Sequence, residues 1–163
     1  MHAHHERAIA HATALLRSEP EVRALLLGGS IAHGFERAES DVDLLIVVSD
    51  DDHDARLHEG RVQWATTEGC EWAGGYVEGK YVSPRFLAEV ARAGSEPARF
   101  AFQDARVLFS DLGDLTQTLH AIARYPAEQK ADRIRRFHAQ LEAWHWYGHE
   151  ALKHGDRYLL GLA

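Results

Sequence analysis

A chain of 163 residues, 45% hydrophobic and 26% charged, suits one globular domain with a real core and a short appendage, and excludes disorder along its whole length. Its 18 basic and 25 acidic side chains leave a formal net charge of -7, which disfavours a long nucleic-acid ligand, because gripping a phosphate backbone needs a basic face. The longest aliphatic run, Leu44-Leu45-Ile46-Val47-Val48, is far too short to span a bilayer, and the N-terminal residues lack an apolar signal core. With Cys70 as the only cysteine, a reducing compartment is expected, and the protein reads as cytoplasmic with no membrane partner.

Periodicity predicts a first helix from Glu6 to about Ser18, with Ile9, Ala12, Leu15 and Leu16 as its apolar stripe and His2, His4 and His5 on a frayed end before it. Val22 to Leu27 reads as a buried strand that stops at Gly28-Gly29, followed by a helical turn after Ser30 and a loop through Gly34 and Arg37. Val42 to Val48 is the clearest strand, continuously apolar and so buried on both faces. Ser49 to Asp54 is an acidic helix start or loop, and Arg61 to Val82 is expected to hold turns and one strand near Tyr76 to Val82.

Ser83 and Pro84 then open a helix that turns Phe86, Leu87 and Val90 inward and ends at Gly94. Ala105 to Phe109 reads as a short strand, and Leu112, Leu115, Leu119 and Ile122 recur at helical spacing up to Pro126. One long helix should occupy Ala127 to His154, with Ile134, Phe137, Leu141 and Trp144 as a narrow apolar stripe and Trp144 in a core. The chain ends in the apolar run Tyr158-Leu159-Leu160-Gly161-Leu162-Ala163.

Chemistry concentrates between residues 28 and 44. A strand running into Gly28-Gly29-Ser30 presents backbone N–H groups free of side-chain obstruction, and with a helical turn behind them these donors suit an anion such as a triphosphate. Asp41 and Asp43 stand two apart at the start of the next strand, so alternation puts both carboxylates on one face. Two adjacent carboxylates repel unless a cation or proton lies between them, and hard oxygen donors suit Mg²⁺ or Mn²⁺. Alone, Gly-Gly-Ser is usually a turn and Asp-x-Asp a solvated pair; their order between two apolar strands is what is unusual.

This segment resembles the nucleotidyltransferase superfamily related to DNA polymerase β, whose signature is a strand, Gly-Ser, a spacer and Asp-x-Asp on the next strand. Gly29-Ser30 and Asp41-Val42-Asp43 match it, and Ser40 matches the serine common before the first acid. The likeness is nearest to small bacterial members, the minimal and aminoglycoside-modifying types; it is specific from Val22 to Val48 and weaker through Glu78-Gly79-Lys80-Tyr81 to Phe109. It implies an α/β (α+β) fold with a small mixed sheet, helices on one face and a C-terminal helical arm. The domain would cover 1–125 and the helical segment 126–163.

The resemblance also implies a third acid on a later strand that shares the metal and helps take the acceptor's proton. Glu78 and Asp104 are the candidates, and Glu78 is preferred because a strand aims a carboxylate at its neighbour. Catalytic and metal-binding residues are then Asp41, Asp43 and Glu78, and nucleotide-binding residues Gly28, Gly29, Ser30, Ser40, Arg37 and Lys80, although a solvated charge is the plainer reading of Arg37 and Lys80. His33 reads as a local hydrogen-bonding residue, His145 and His149 as a helix face without the second Glu-x-x-His copy a bundle di-metal site needs, and Asp50 to Asp54 as a solvated helix start.

The expected activity is transfer of a nucleoside monophosphate from an NTP, ATP first, to a hydroxyl of a small-molecule or protein acceptor with release of pyrophosphate. The alternative is an antitoxin-like or regulatory nucleotide-binding partner with little turnover. The apolar terminus and short helical arm motivate a homodimer or a helical partner protein.

Overall fold

The computed structural model describes residues 1–162, which divide into two compact units, the first Met1–Arg124 and the second beginning at Tyr125. The first unit begins with α1 (Ala3–Arg17), β1 (Ala24–Leu27), α2 (Gly29–His33), β2 (Val42–Val47) and α3 (Asp50–His58). It continues through β3 (Gln63–Thr66), β4 (Val77–Val82), α4 (Pro84–Ala93), α5 (Glu96–Phe102), β5 (Arg106–Ser110) and α6 (Leu115–Ala123). Serine caps start three of these helices: Ser49, Ser83 and Ser95 accept from the backbone N–H of Asp52, Phe86 and Ala98.

The five strands form one mixed sheet in the order β3-β4-β2-β1-β5. β1 is antiparallel to both β2 and β5, β3 is antiparallel to β4, and β2 and β4 run parallel. Alternation sorts the apolar strand residues onto two faces. Leu25, Leu27, Leu44 and Ile46 pack with Ala8, Ile9, Ala12 and Leu16 of α1. Ala24, Leu26 and Val47 pack with Leu87 and Val90 of α4, Phe102 of α5, and Leu115, Leu119 and Ile122 of α6. Helices therefore cover both faces, not the one expected, and this is why β1 and β2 are continuously apolar.

Local departures from the sequence reading have local causes. α1 starts at Ala3 instead of Glu6, because His5 is fully buried and is part of the helix. β3 and α5 carry too short a pattern, four and seven residues, to stand out by periodicity. Leu112 precedes α6; its N–H donates to the Ser110 hydroxyl in a turn. Phe86 is 40% exposed on the outer side of α4, whereas Leu87 and Val90 are buried. In the second unit, a 3₁₀ turn (Ala127–Gln129) precedes α7 (Lys130–His154) and α8 (Arg157–Leu162). Along α7, Ile134, Phe137 and Leu141 are exposed, and Trp144 is 37% exposed, so it is no core residue. Ala163 lies outside the described residues.

One buried charge ties three helices together. Arg99 of α5 is 6% exposed, and its guanidinium donates to Ala91 O (2.9 Å) and Gly94 O (3.2 Å) at the end of α4 and to Ile122 O (2.9 Å) and Arg124 O (3.2 Å) at the end of α6. Helix C-termini present unpaired carbonyls and partial negative charge, so a cation there is stabilised twice. A lysine has neither the fork nor the number of donors to replace it. Arg99→Lys is expected to lower unfolding free energy by about 2–3 kcal/mol in urea titration, the cost of charged hydrogen bonds lost at buried acceptors.

Candidate active site

The site begins where β1 ends. Gly28 leaves the sheet in extended conformation, its N–H bonded to Asp43 O at 2.9 Å, and Gly29 opens α2 with φ of +60°. That conformation disfavours a side chain, and space forbids one: a Cβ on Gly29 would collide with the Asp43 carboxylate. The bare backbone of Gly29 and the Asp43 side chain are thus in direct apposition. α2 ends after one turn at Gly34, φ +77°.

Three carboxylates converge beside this bend. Asp43 on β2 and Glu78 on β4 are register partners across the parallel pair, and Asp41 lies two residues ahead of Asp43. Asp41, Asp43 and Glu78 each offer an oxygen, and these oxygens all lie within 4.8 Å of one another. Burial pushes the Asp43 pKa above its ordinary value, and the negative charges of Asp41 and Glu78 add to the rise, with Lys80 opposing it. The hydrogen bond to Asp41 raises the Tyr76 hydroxyl pKa in turn. A half-buried cluster of hard oxygen donors held against its own repulsion fits a divalent cation.

A cleft of about 280 Å³ opens beside two members of this cluster, Asp43 and Glu78. Gly28, Gly29 and Ser30 line it together with Asp43, Glu78 and Lys80. Lys80, alternating with Glu78 on β4, is therefore a lining residue and not only a solvated charge. His33, Phe35, Phe100 and Ala101 add an apolar and aromatic part to the lining. His33 stacks between Phe35 (ring centroids 5.2 Å apart) and Phe100 (4.4 Å), and its Nδ1–H donates to Asp104 at 3.3 Å.

Two nucleotide-binding candidates are not brought to the cleft. Arg37 is exposed on the loop after α2 and absent from the lining. Ser40 is also absent from the lining, and its hydroxyl accepts from Arg37 N–H at 2.9 Å. Asp104 faces His33, held at φ of +60°, and is not in the carboxylate cluster. Among the discounted groups, His145 contacts His149 at 3.1 Å on an exposed face, Glu142 pairs with His138, and Asp50 and Asp54 engage Arg85.

Sequence reasoning missed what fixes the loop that delivers Asp41. His4 Nε2–H donates to Ala38 O at 2.9 Å and His5 Nε2–H to Ser40 O at 3.0 Å, with both rings against Trp72. These histidines are no frayed end; α1 grips the loop immediately ahead of the first acid. The only advance signal was their helical continuity with Ile9 and Ala12.

The raised Asp43 pKa has a thermodynamic sign. Between the ordinary value near 3.9 and the raised one, the folded state binds the proton more tightly than the unfolded chain, so stability falls as pH climbs through that window. Above it the penalty is fully present. In chelator at pH 8, Asp43→Asn is expected to melt a few degrees higher than wild type, with the gap closing towards pH 4; calorimetric scans at both pH values measure it.

The solved structures include one described as "Crystal structure of the toxin-antitoxin with AMP-PNP", similar at 14% identity and a TM-score of 0.43 over 80% of this chain and 97% of that one. That likeness is too loose to bear on function. No curated protein matches by sequence. A family described as "Nucleotidyltransferase domain" matches residues 10–95, just over half of the chain, a span containing Gly28 to Ser30, both aspartates and Glu78. With the bend, the acids and the mixed sheet all inside or around that span, the chain belongs to the nucleotidyltransferase domain family.

Proposed function

We propose that the protein transfers a nucleoside monophosphate from an NTP, ATP first, to a hydroxyl on a small-molecule or protein acceptor, with release of pyrophosphate. The observation that carries this reading is the convergence of Asp41, Asp43 and Glu78 beside the bend at Gly28-Gly29-Ser30. Asp41, Asp43 and Glu78 would hold Mg²⁺ or Mn²⁺, which supplies neutralisation of polyphosphate charge. Backbone N–H groups of the bend and the Ser30 hydroxyl hold the β- and γ-phosphates, and Lys80 adds positive charge from the cleft wall. Glu78 orients the acceptor hydroxyl and takes its proton. Catalysis comes mainly from positioning and charge compensation, in the cytoplasm, where the free Cys70 stays reduced.

A pyrophosphate-release screen over the four NTPs and candidate acceptors, with Mg²⁺ and with chelator, tests this. Release should require the metal, and Asp41→Asn and Asp43→Asn should each lose at least about a hundredfold in rate while keeping native circular dichroism. Full turnover in both variants rejects the assignment.

A second reading, an antitoxin-like or regulatory nucleotide-binding protein with little turnover, is favoured by α7. Ile134, Phe137, Leu141 and Trp144 make an exposed stripe at three- and four-residue spacing, the pattern of a helix that packs on another. The partner is then a second copy or another helical protein. Sedimentation of the isolated chain should show a dimer that Leu141→Glu converts to monomer; a monomer in wild type at all concentrations removes the homodimer. Tight Mg-ATP binding without pyrophosphate release on any acceptor supports the second reading over the first.

A further inference from the structure

The roles assigned above to phosphate and metal leave the aromatic part of the cleft lining unused. Phe35, His33 and Phe100 form a continuous stack, with interplanar angles of 1° and 14°, and the two outer rings remain 62% and 51% exposed. A soluble protein seldom leaves the flat faces of two rings open beside a polar cleft without a use for them. His33 cannot turn away, because its side chain is 5% exposed and its Nδ1–H is held by Asp104. Asp104 itself sits at φ of +60°, a strained backbone for a non-glycine residue. The central ring of the stack is therefore held in orientation before any ligand arrives.

Phe100 is the better anchored of the outer rings. It lies on α5, beside Arg99, which is bonded to the ends of α4 and α6. Its neighbour Ala101 reaches the glycine bend: a Cβ on Gly28 would lie 3.6 Å from Ala101 O. The ring thus stands next to the loop that faces the polyphosphate, on the same cleft as Asp43 and Lys80.

Resting on the nucleotidyltransferase reading above, the geometry points to Phe100, backed by His33 and Phe35, as the platform on which the nucleobase of the NTP stacks. The cleft then has a polyphosphate end and a base end, and the ligand it prefers is a nucleoside triphosphate over a bare polyphosphate. Because every base has a π face, the platform holds the base without reading its edge.

Titration calorimetry of the full chain with Mg-ATP and with Mg-tripolyphosphate tests this. Wild type should bind Mg-ATP more tightly than Mg-tripolyphosphate. Phe100→Ala and Phe100→Leu, the latter keeping apolar volume without a ring, should weaken Mg-ATP by roughly five- to fiftyfold and leave Mg-tripolyphosphate unchanged. Phe100→Tyr should restore Mg-ATP affinity. Equal affinity of wild type for the two ligands, or equal loss for both in the variants, overturns the platform while leaving the polyphosphate site standing. Failure of wild type to bind either ligand overturns the site and the platform together.

Discussion

The apposition of Gly29 and Asp43 is the contact from which the site is built. A loop can offer N–H groups to an anion, and a strand can offer a carboxylate to a cation, but the two share one ligand only if the backbones approach closely. Here the missing Cβ is the space that the Asp43 side chain fills. Asp41 and Glu78 then join through alternation on β2 and register with β4, and their charges make Asp43 reluctant to ionise. The cost is carried by a sheet buried on both faces, where each fully buried aliphatic side chain contributes about 1.5–3 kcal/mol.

Polar ties outside the sheet set the loops around that centre. α1 reaches across with His4 and His5 to hold the carbonyls of Ala38 and Ser40, which limits how far the segment ahead of Asp41 can wander. His5 is fully buried, and burial together with the neighbouring His4 lowers its pKa, so it works as a neutral donor. On the other wall, His33 and Asp104 join α2 to the turn before β5. Both walls are held by side chains reaching distant residues, in addition to bonds within the loop such as Arg37 N–H to Ser40.

The sequence was legible where a signal is local. Unbroken aliphatic runs marked β1 and β2, Ser83-Pro84 marked the start of α4, and strand alternation was enough to prefer Glu78 over Asp104. It was opaque where meaning depends on a partner far along the chain. A histidine near the N-terminus looks solvated until the carbonyl of Ser40, 35 residues away, is seen against it. Nor does the sequence show that Ser40 accepts from Arg37 N–H, which braces the loop ahead of Asp41. Phe35 and Phe100 carry no shared pattern, and α5 is too short to announce itself, so the aromatic wall had no signature to read. Lys80 is exposed, as a solvated charge would be, and its place in the cleft lining follows only from the register of β4 beside β2.

The hydrogen bonds that tie Arg99 to the ends of α4 and α6 run to main-chain oxygens. Such a clasp is indifferent to which residues its neighbours carry, provided their helices end in the same places. Substitutions on the outer surfaces of α4 and α6 therefore leave the clasp in place, and with it the orientation of α5.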